Sequence, residues 1–148
     1  LGEWLPPLPA GLTRGLSAVG GLQPGDASRF VNAWPSPSAV AICYEISDGR
    51  ALAKATAQGA EWLLTIANLD PYPQLLQRQF LALAQLRAIE TGRDVLSVAN
   101  TGPTALVSAD GTVQRLLKPR TDAVAAAELQ RRQQLTGYSR LVWAWSSR

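Results

Sequence analysis

Two short segments, residues 39–43 and 61–67, are largely apolar on both of their faces. Strands of this kind lie in the interior of an α/β sheet, where helices or a second sheet cover them. Between the two segments, residues 48–58 are rich in alanine and stop at Gly59, which is typical of a helix with a glycine end. The alternation of these segments predicts an α/β layered fold.

The rest of the chain extends this pattern. Residues 72–91 have the clearest helical periodicity and are closed by Gly92; Leu76, Phe80 and Leu83 mark one stripe, and Leu75, Leu86 and Ile89 widen it. Further strands are expected at residues 29–33, 94–99, 104–108 and 112–117, with a hairpin turn at Asp110-Gly111. Residues 1–25 are expected to be mostly loop, and the alanine and glutamine content of residues 123–134 favours a helix on propensity alone.

Composition excludes several classes of protein. The 148 residues are 47% hydrophobic and 17% charged, a balance that suits a domain with a buried core. A formal charge of +3 with scattered basic residues argues against nucleic-acid binding, which needs a dense basic surface. No apolar stretch approaches the roughly 20 residues of a membrane-spanning helix. The chain opens Leu-Gly-Glu without an initiator methionine, so we expect it to be part of a longer protein.

The chain has one cysteine and no histidine. One cysteine excludes an internal disulfide, and the lack of histidine excludes, within this chain, a Ser-His-Asp or Cys-His arrangement and the usual imidazole zinc sites. Any nucleophile here must pass its proton to a carboxylate or a lysine. Cys43 ends a predicted strand, at the carboxyl edge where α/β sheets bind ligands. From spacing alone it is either a nucleophile or a small buried hydrophobe.

Several separated segments, in one consistent order, resemble the nitrilase superfamily and, within it, the apolipoprotein N-acyltransferase family. Residues 41–46, Ala-Ile-Cys-Tyr-Glu-Ile, are similar to that family's nucleophile motif. The other similar segments are Gly-Glu-Trp-Leu-Pro at 2–6, the strand and loop at 59–68, Leu-Arg-Ala-Ile-Glu-Thr-Gly-Arg at 86–93, Ala-Asn-Thr-Gly at 99–102 and Thr-Gly-Tyr-Ser-Arg at 136–140. One segment departs from the family pattern, because Leu-Asp-Pro-Tyr-Pro stands at 69–73 where many members have Asp-Ala-Trp-Phe-Gly.

The resemblance implies a four-layer α-β-β-α nitrilase-like sandwich that is incomplete here because its N-terminal part is absent. Residues 1–148 would then be the C-terminal portion of a single nitrilase-like catalytic domain. Residues 123–130 would form a late strand instead of the helix that propensity favours. The family's general-base glutamate and its lysine would both lie upstream of Leu1, so we expect the fragment alone to be inactive.

The same resemblance assigns four catalytic residues. Cys43 corresponds to the nucleophile, and Glu3 to an additional active-site glutamate, the alternative being a solvated surface carboxylate. Tyr44 follows the nucleophile, so its backbone N–H is a candidate oxyanion donor, although its ring could simply pack. Glu45 corresponds to a carboxylate beside the cysteine that orients its neighbours, the alternative being a helix-start acid favoured by the helix dipole.

The resemblance further implies acyl transfer from a phospholipid, through a Cys43 thioester, to the N-terminal amine of a diacylglyceryl-cysteine apolipoprotein. No cofactor and no metal are implied. A membrane surface is the expected partner, at the bacterial inner membrane and facing the periplasm, with Trp143 and Trp145 near the interface. The alternatives are a soluble amide hydrolase of the same superfamily and a non-catalytic nitrilase-like domain that only binds partners.

Four further polar residues are expected to have structural roles. Arg87 and Glu90 are expected to form an ion pair, and Asn68 and Asn100 to stabilise the turns in which they lie.

Overall fold

The computed structural model describes residues 29–32 and 36–146, and six strands of this part form one sheet in chain order. The strands are β1 (Phe30–Val31), β2 (Ser38–Ile42), β3 (Trp62–Ala67), β4 (Val95–Ala99), β5 (Thr104–Val107) and β6 (Val113–Leu117). β2, β3 and β4 run parallel, whereas β1, β5 and β6 are antiparallel to their neighbours. The helices are α1 (Gly49–Ala57), α2 (Gln74–Thr91) and α3 (Gly137–Ser146), and a 3-10 helix covers Cys43–Ser47.

One face of the sheet is covered by α1 and α2. Alternate strand residues face these helices and form the core with them: Ala39, Ala41, Leu63, Val95, Ala105 and Val107 from the sheet, and Leu52, Ala55, Leu81, Ala84 and Ala88 from the helices. The residues between them in sequence point to the opposite face, because side chains alternate along a strand. That second face is also apolar, and its Ile66 is 47% exposed in the described part of the chain.

Most of the predicted elements are confirmed, with ends that differ by one or two residues. The predicted stop of α2 is confirmed at Gly92, which has a φ of 63° and caps the helix in the left-handed conformation. The hairpin turn is confirmed as well, because the backbone N–H of Thr112 donates to Asp110 Oδ1 at 2.9 Å and Gly111 has a φ of 87°. The alternation of patterns in the sequence therefore predicted the order of these elements along the chain.

The buried stripe of α2 was predicted in part, because Phe80 and Leu83 of the predicted stripe pack against the core. Leu75, Leu86 and Ile89 are exposed, whereas Leu81, Ala84 and Ala88 face the sheet. The alanines leave room for the helix to lie close to the strands, so the smallest apolar residues make the contact. The sequence analysis expected the larger leucines to be buried as well, but close packing of the helix on the strands buries the smaller alanines instead.

The structure contains neither a helix nor a strand at residues 123–134, so the late strand implied by the resemblance is wrong for the described residues. Residues 121–128 are all exposed. A strand needs a neighbouring backbone, and here only isolated contacts form: the N–H of Gln130 donates to Asp94 Oδ2 at 2.8 Å and that of Arg132 to the carbonyl of Glu61 at 3.1 Å. These contacts tie the segment to the starts of β3 and β4, and its helical propensity is not realised.

Helix α3 was not predicted. Thr136 precedes it, and Thr136 Oγ1 accepts the backbone N–H of Ser139 at 3.1 Å, which is an N-cap contact. Its apolar residues Tyr138, Leu141, Val142 and Trp145 recur at helical spacing, a signal that the sequence does carry. None of the helices in the described ranges is both long enough and apolar enough to cross a bilayer.

Candidate active site

Cys43 lies at the abrupt transition from β2 to the 3-10 helix. Its φ is 53°, in the left-handed region that residues other than glycine rarely adopt. Such strain concentrates at functional sites, where the surrounding structure holds it in place. A nucleophile on a sharp strand-to-helix turn is presented at the sheet edge next to backbone N–H groups. Cys43 is partly exposed among the described residues, and its role as a nucleophile stays a prediction.

Glu45 is buried and closes this turn from within. Its Oε2 accepts the backbone N–H of Ile42, the residue before Cys43, at 2.8 Å. Its Oε1 forms a hydrogen-bonded ion pair with the guanidinium of Arg29, and only 4% of Arg29 is exposed. The carboxylate therefore bridges the start of the turn and a buried cation. Glu45 is the acid in the first turn of the 3-10 helix, so these contacts fit the helix-start alternative as well as the orienting role, and the catalytic role of Glu45 stays a prediction.

Tyr44 points away from the core, with 68% of the residue exposed. The alternative in which its ring packs inside is thus not seen in the described residues. The oxyanion role depends on its main chain alone and stays a prediction. Glu3 lies outside the described residues, so its distance from Cys43 also stays a prediction.

Two asparagines join the neighbouring strand ends at the same edge of the sheet. Register places Ile42 opposite Ile66 and Ala67 opposite Ala99, so Cys43, Asn68 and Asn100 all follow adjacent parallel strands. Asn100 Nδ2 donates to Asn68 Oδ1 at 2.7 Å, and Asn100 Oδ1 accepts the N–H of Leu69 at 2.9 Å. The turn role expected for both residues is confirmed, and it includes a direct link between the two loops.

The loop that departs from the family pattern is held by α2. Buried Gln77 donates from Nε2 to the carbonyl of Leu69 at 3.1 Å and to that of Tyr72 at 2.9 Å. Residues 66–68 and 98–100 line an open concavity of about 440 Å³ beside it. Cys43 is not among the lining residues, so the structure does not bring the thiol and this concavity together.

Arg87 links α2 to the element that carries Cys43. The expected ion pair with Glu90 is confirmed at 3.3 Å, and Arg87 Nη1 also donates to the carbonyl of Ser47 at 3.4 Å. Gly49 permits this approach, since a Cβ there would lie 1.9 Å from Arg87 Nη1. Arg87 is therefore structural, as expected.

Among residues 29–32 and 36–146 no group of three or more His, Cys, Asp or Glu is placed to hold a metal.

The site includes one residue that sequence reasoning missed, Arg29. It appeared only as one of several scattered basic residues, and nothing local distinguishes an arginine that pairs sixteen positions away with a carboxylate. The one usable signal was Glu45 itself, because an acid next to an apolar strand needs a buried cation or donor.

The sheet is partly parallel and has helices on one face, and a strained cysteine lies where a strand meets a helix. These features place the protein in the class of α/β domains with a candidate nucleophile on a strand-to-helix turn. The chain belongs to the carbon-nitrogen hydrolase family, whose model matches residues 9–136.

Two relatives illustrate the similarity. An apolipoprotein N-acyltransferase of Parasynechococcus marenigrum (strain WH8102) is 97% identical over all 148 residues, which are 32% of that protein. An apolipoprotein N-acyltransferase of Prochlorococcus marinus (strain MIT 9313) is 67% identical over 141 residues, 95% of this chain and 28% of that protein. The chain thus spans about a third of the length of the curated relatives it matches.

The fold is similar to that of a solved amidase. A cysteine-to-alanine mutant of the Nesterenkonia AN1 amidase, from the nitrilase superfamily, aligns with a TM-score of 0.50 and 18% identity over 64% of this chain and 39% of that one. The predicted nitrilase-like α/β fold is therefore confirmed for part of a domain.

Proposed function

We propose that the full-length protein is an N-acyltransferase that carries a fatty acyl group on Cys43. One observation carries the proposal: the only cysteine of the chain occupies a strained turn at a strand end, in a chain 97% identical to a segment of a protein named apolipoprotein N-acyltransferase. A thiol held in a left-handed turn beside main-chain donors suits covalent catalysis, which divides one difficult transfer into two easier steps.

The proposed reaction has two balanced steps. The Cys43 thiolate attacks the ester carbonyl of a phospholipid, a thioester forms, and the lysophospholipid alkoxide leaves and takes up a proton. The amine of a diacylglyceryl-cysteine lipoprotein then attacks the thioester, an amide forms, the thiolate is released, and the proton lost by the amine passes to the general base. The backbone N–H of Tyr44 is proposed to stabilise the oxyanion in both steps. The general-base glutamate and the lysine are proposed to come from the rest of the full-length protein, and Glu3 to complete the site.

The proposal includes a membrane location. The partners are a phospholipid acyl donor, an apolipoprotein acceptor and the membrane surface, with the catalytic domain on the periplasmic side of the inner membrane. Exposed apolar residues of α3 support contact with a lipid interface, because Leu141 is 68% exposed and Trp145 is 82% exposed. Recovery of the full-length protein entirely in the soluble fraction of lysed cells would contradict this part.

The test uses the full-length protein in native membranes and measures triacylated lipoprotein. Cys43→Ala should lower the rate by at least about a thousandfold, as removal of a nucleophile does elsewhere. Val124→Ala is the control, since Val124 is fully exposed and is not part of the candidate site, so this variant should retain nearly full activity. Triacylated product formed at the normal rate by Cys43→Ala would refute the proposal.

The family match itself favours one second function, an amide hydrolase in which water takes the place of the amine. The same assay separates the two. Release of free fatty acid with no N-acylated product would favour the hydrolase. An acyl-ester probe that fails to label Cys43 at all would favour a domain that only binds partners.

A further inference from the structure

Arg29 lies directly behind the turn that holds Cys43. Its backbone carbonyl accepts the N–H of Val40 in β2 at 2.9 Å, and its side chain reaches Glu45 beyond the end of the same strand. Arg29 Nε has no hydrogen-bond partner among the described residues. Among the described residues, the contact with Glu45 is therefore the main interaction that offsets the free-energy cost of burying this cation.

The two oxygens of Glu45 have different partners. Oε1 binds Arg29, and Oε2 accepts the N–H of Ile42 at 2.8 Å. The second contact closes a tight ring from Ile42 through Cys43 and Tyr44 to Glu45, and the left-handed Cys43 lies inside that ring. A strained residue keeps its conformation only where its surroundings fix it. The orientation of the thiol thus depends on the carboxylate, and that of the carboxylate depends on Arg29.

We propose that Arg29 is a positioning residue for Cys43: its guanidinium fixes the Glu45 carboxylate, which in turn holds the backbone turn that aims the thiol at the acyl carbon. The inference deepens the proposed function and rests on it. Lysine is a poor substitute at this site, because its single ammonium group lacks the planar, multi-donor geometry of a guanidinium.

The experiment uses full-length Arg29→Lys and Arg29→Gln proteins and two readouts. The first is acyl transfer, resolved into kcat and KM. The second is acylation of Cys43 by a p-nitrophenyl ester, followed by mass spectrometry of the Cys43 peptide and normalised to folded protein. We expect both variants to lose about tenfold to a hundredfold in kcat and in ester acylation, because small displacements of a reacting group cost that much. KM should change by less than about twofold, since Arg29 acts through the turn and not on bound substrate.

Arg93→Lys is the matched control. Arg93 is 1% exposed and donates to the carbonyls of Ala60 and Gln134 at 2.8 Å. Ala60 precedes β3 and Arg93 precedes β4, so this arginine lies at the opposite edge of the sheet from Cys43. Arg93→Lys should lower stability but leave the acylation rate per folded molecule unchanged.

A double variant keeps the test decisive where Arg29→Gln folds poorly. Glu45→Gln combined with Arg29→Gln replaces the buried ion pair by a neutral hydrogen-bonded pair and keeps an oxygen for the N–H of Ile42. This double variant should recover about tenfold of the ester acylation lost in Arg29→Gln, since it no longer leaves a buried charge unpaired.

Three results would overturn the inference: normal acylation of Cys43 in folded Arg29 variants, an equal loss in Arg93→Lys, or a folded double variant without recovery. The ester readout also separates this inference from the proposed function. Ester acylation that depends on Arg29, without any transfer from phospholipid, would refute the function and leave the positioning role intact.

Discussion

The backbone at Cys43 stores free energy at a single residue. A left-handed conformation costs a residue with a Cβ about 1–2 kcal/mol. In the described part of the chain only Cys43 and Arg120 share this feature among residues other than glycine. At Arg120 the strain lies in an exposed segment, whereas at Cys43 it is held by a buried carboxylate. The cysteine therefore occupies a place where glycine would be more stable, which argues for selection of its sulfur.

Comparison of Cys43→Gly with Cys43→Ala tests this strain. Both variants lack the thiol, so they differ only in the Cβ and in backbone freedom. We expect Cys43→Gly to have the higher free energy of unfolding, by about 1 kcal/mol, because glycine adopts a φ of 53° without a steric penalty. Denaturant unfolding of the purified full-length protein measures the difference.

Ala41 provides the matched control for that comparison. It is fully buried in β2, the strand that leads to Cys43, and its backbone is extended. Ala41→Gly should lower the free energy of unfolding by about 0.5–1 kcal/mol, since glycine in a strand loses more entropy on folding. A Cys43→Gly protein less stable than Cys43→Ala would show that the turn is unstrained.

At the scale of helices and strands, the sequence predicted those elements whose formation depends on the local pattern of residues. Apolar runs predicted β2 and β3, and glycines predicted the ends of α1 and α2, because each depends on neighbouring residues. The pairing of Arg29 with Glu45 and the irregular course of residues 123–134 depend on residues far away in sequence, so local pattern could not predict them. Sequence reasoning placed Cys43 and Glu45 in the candidate site, where their roles stay predictions, but it did not identify the cation that pairs with Glu45.

The hairpin between β5 and β6 gives a prediction at this scale. Gly111 has a φ of 87°, and a Cβ added to it would lie 2.8 Å from Ile89 Cδ1 of α2. Gly111→Ala should therefore lower the free energy of unfolding by about 1–3 kcal/mol, through backbone strain and crowding against the helix. Gly137→Ala is the control: it begins α3 with no atom within 4 Å of the added Cβ, so stability should stay the same or rise slightly. Equal effects of the two substitutions in thermal unfolding would contradict this account.

For the whole molecule, the two faces of the sheet have different surroundings. The face toward α1 and α2 is buried, with Ala39, Leu63 and Val95 at 1% exposure or less. The opposite face carries Val40, Leu64 and Ile66, which are apolar but only partly covered by the described residues. An apolar sheet face of this kind is stable when another layer covers it. We propose that such a layer is the second sheet of the α-β-β-α sandwich that the family resemblance implies.

Ile66 tests whether a second layer covers this face in the full-length protein. Its side chain is 47% exposed within the described part of the chain. If a second sheet packs on it, Ile66→Asp should lower the free energy of unfolding by more than about 3 kcal/mol, because it buries an unpaired charge. Ile66→Val, which removes one methyl group, should then cost about 1 kcal/mol. If the face is open to solvent, both changes should stay within about 0.5 kcal/mol of the unchanged protein. Denaturant unfolding of the full-length protein distinguishes these outcomes, and two near-neutral variants would mean that the sandwich does not close over this part of the sheet.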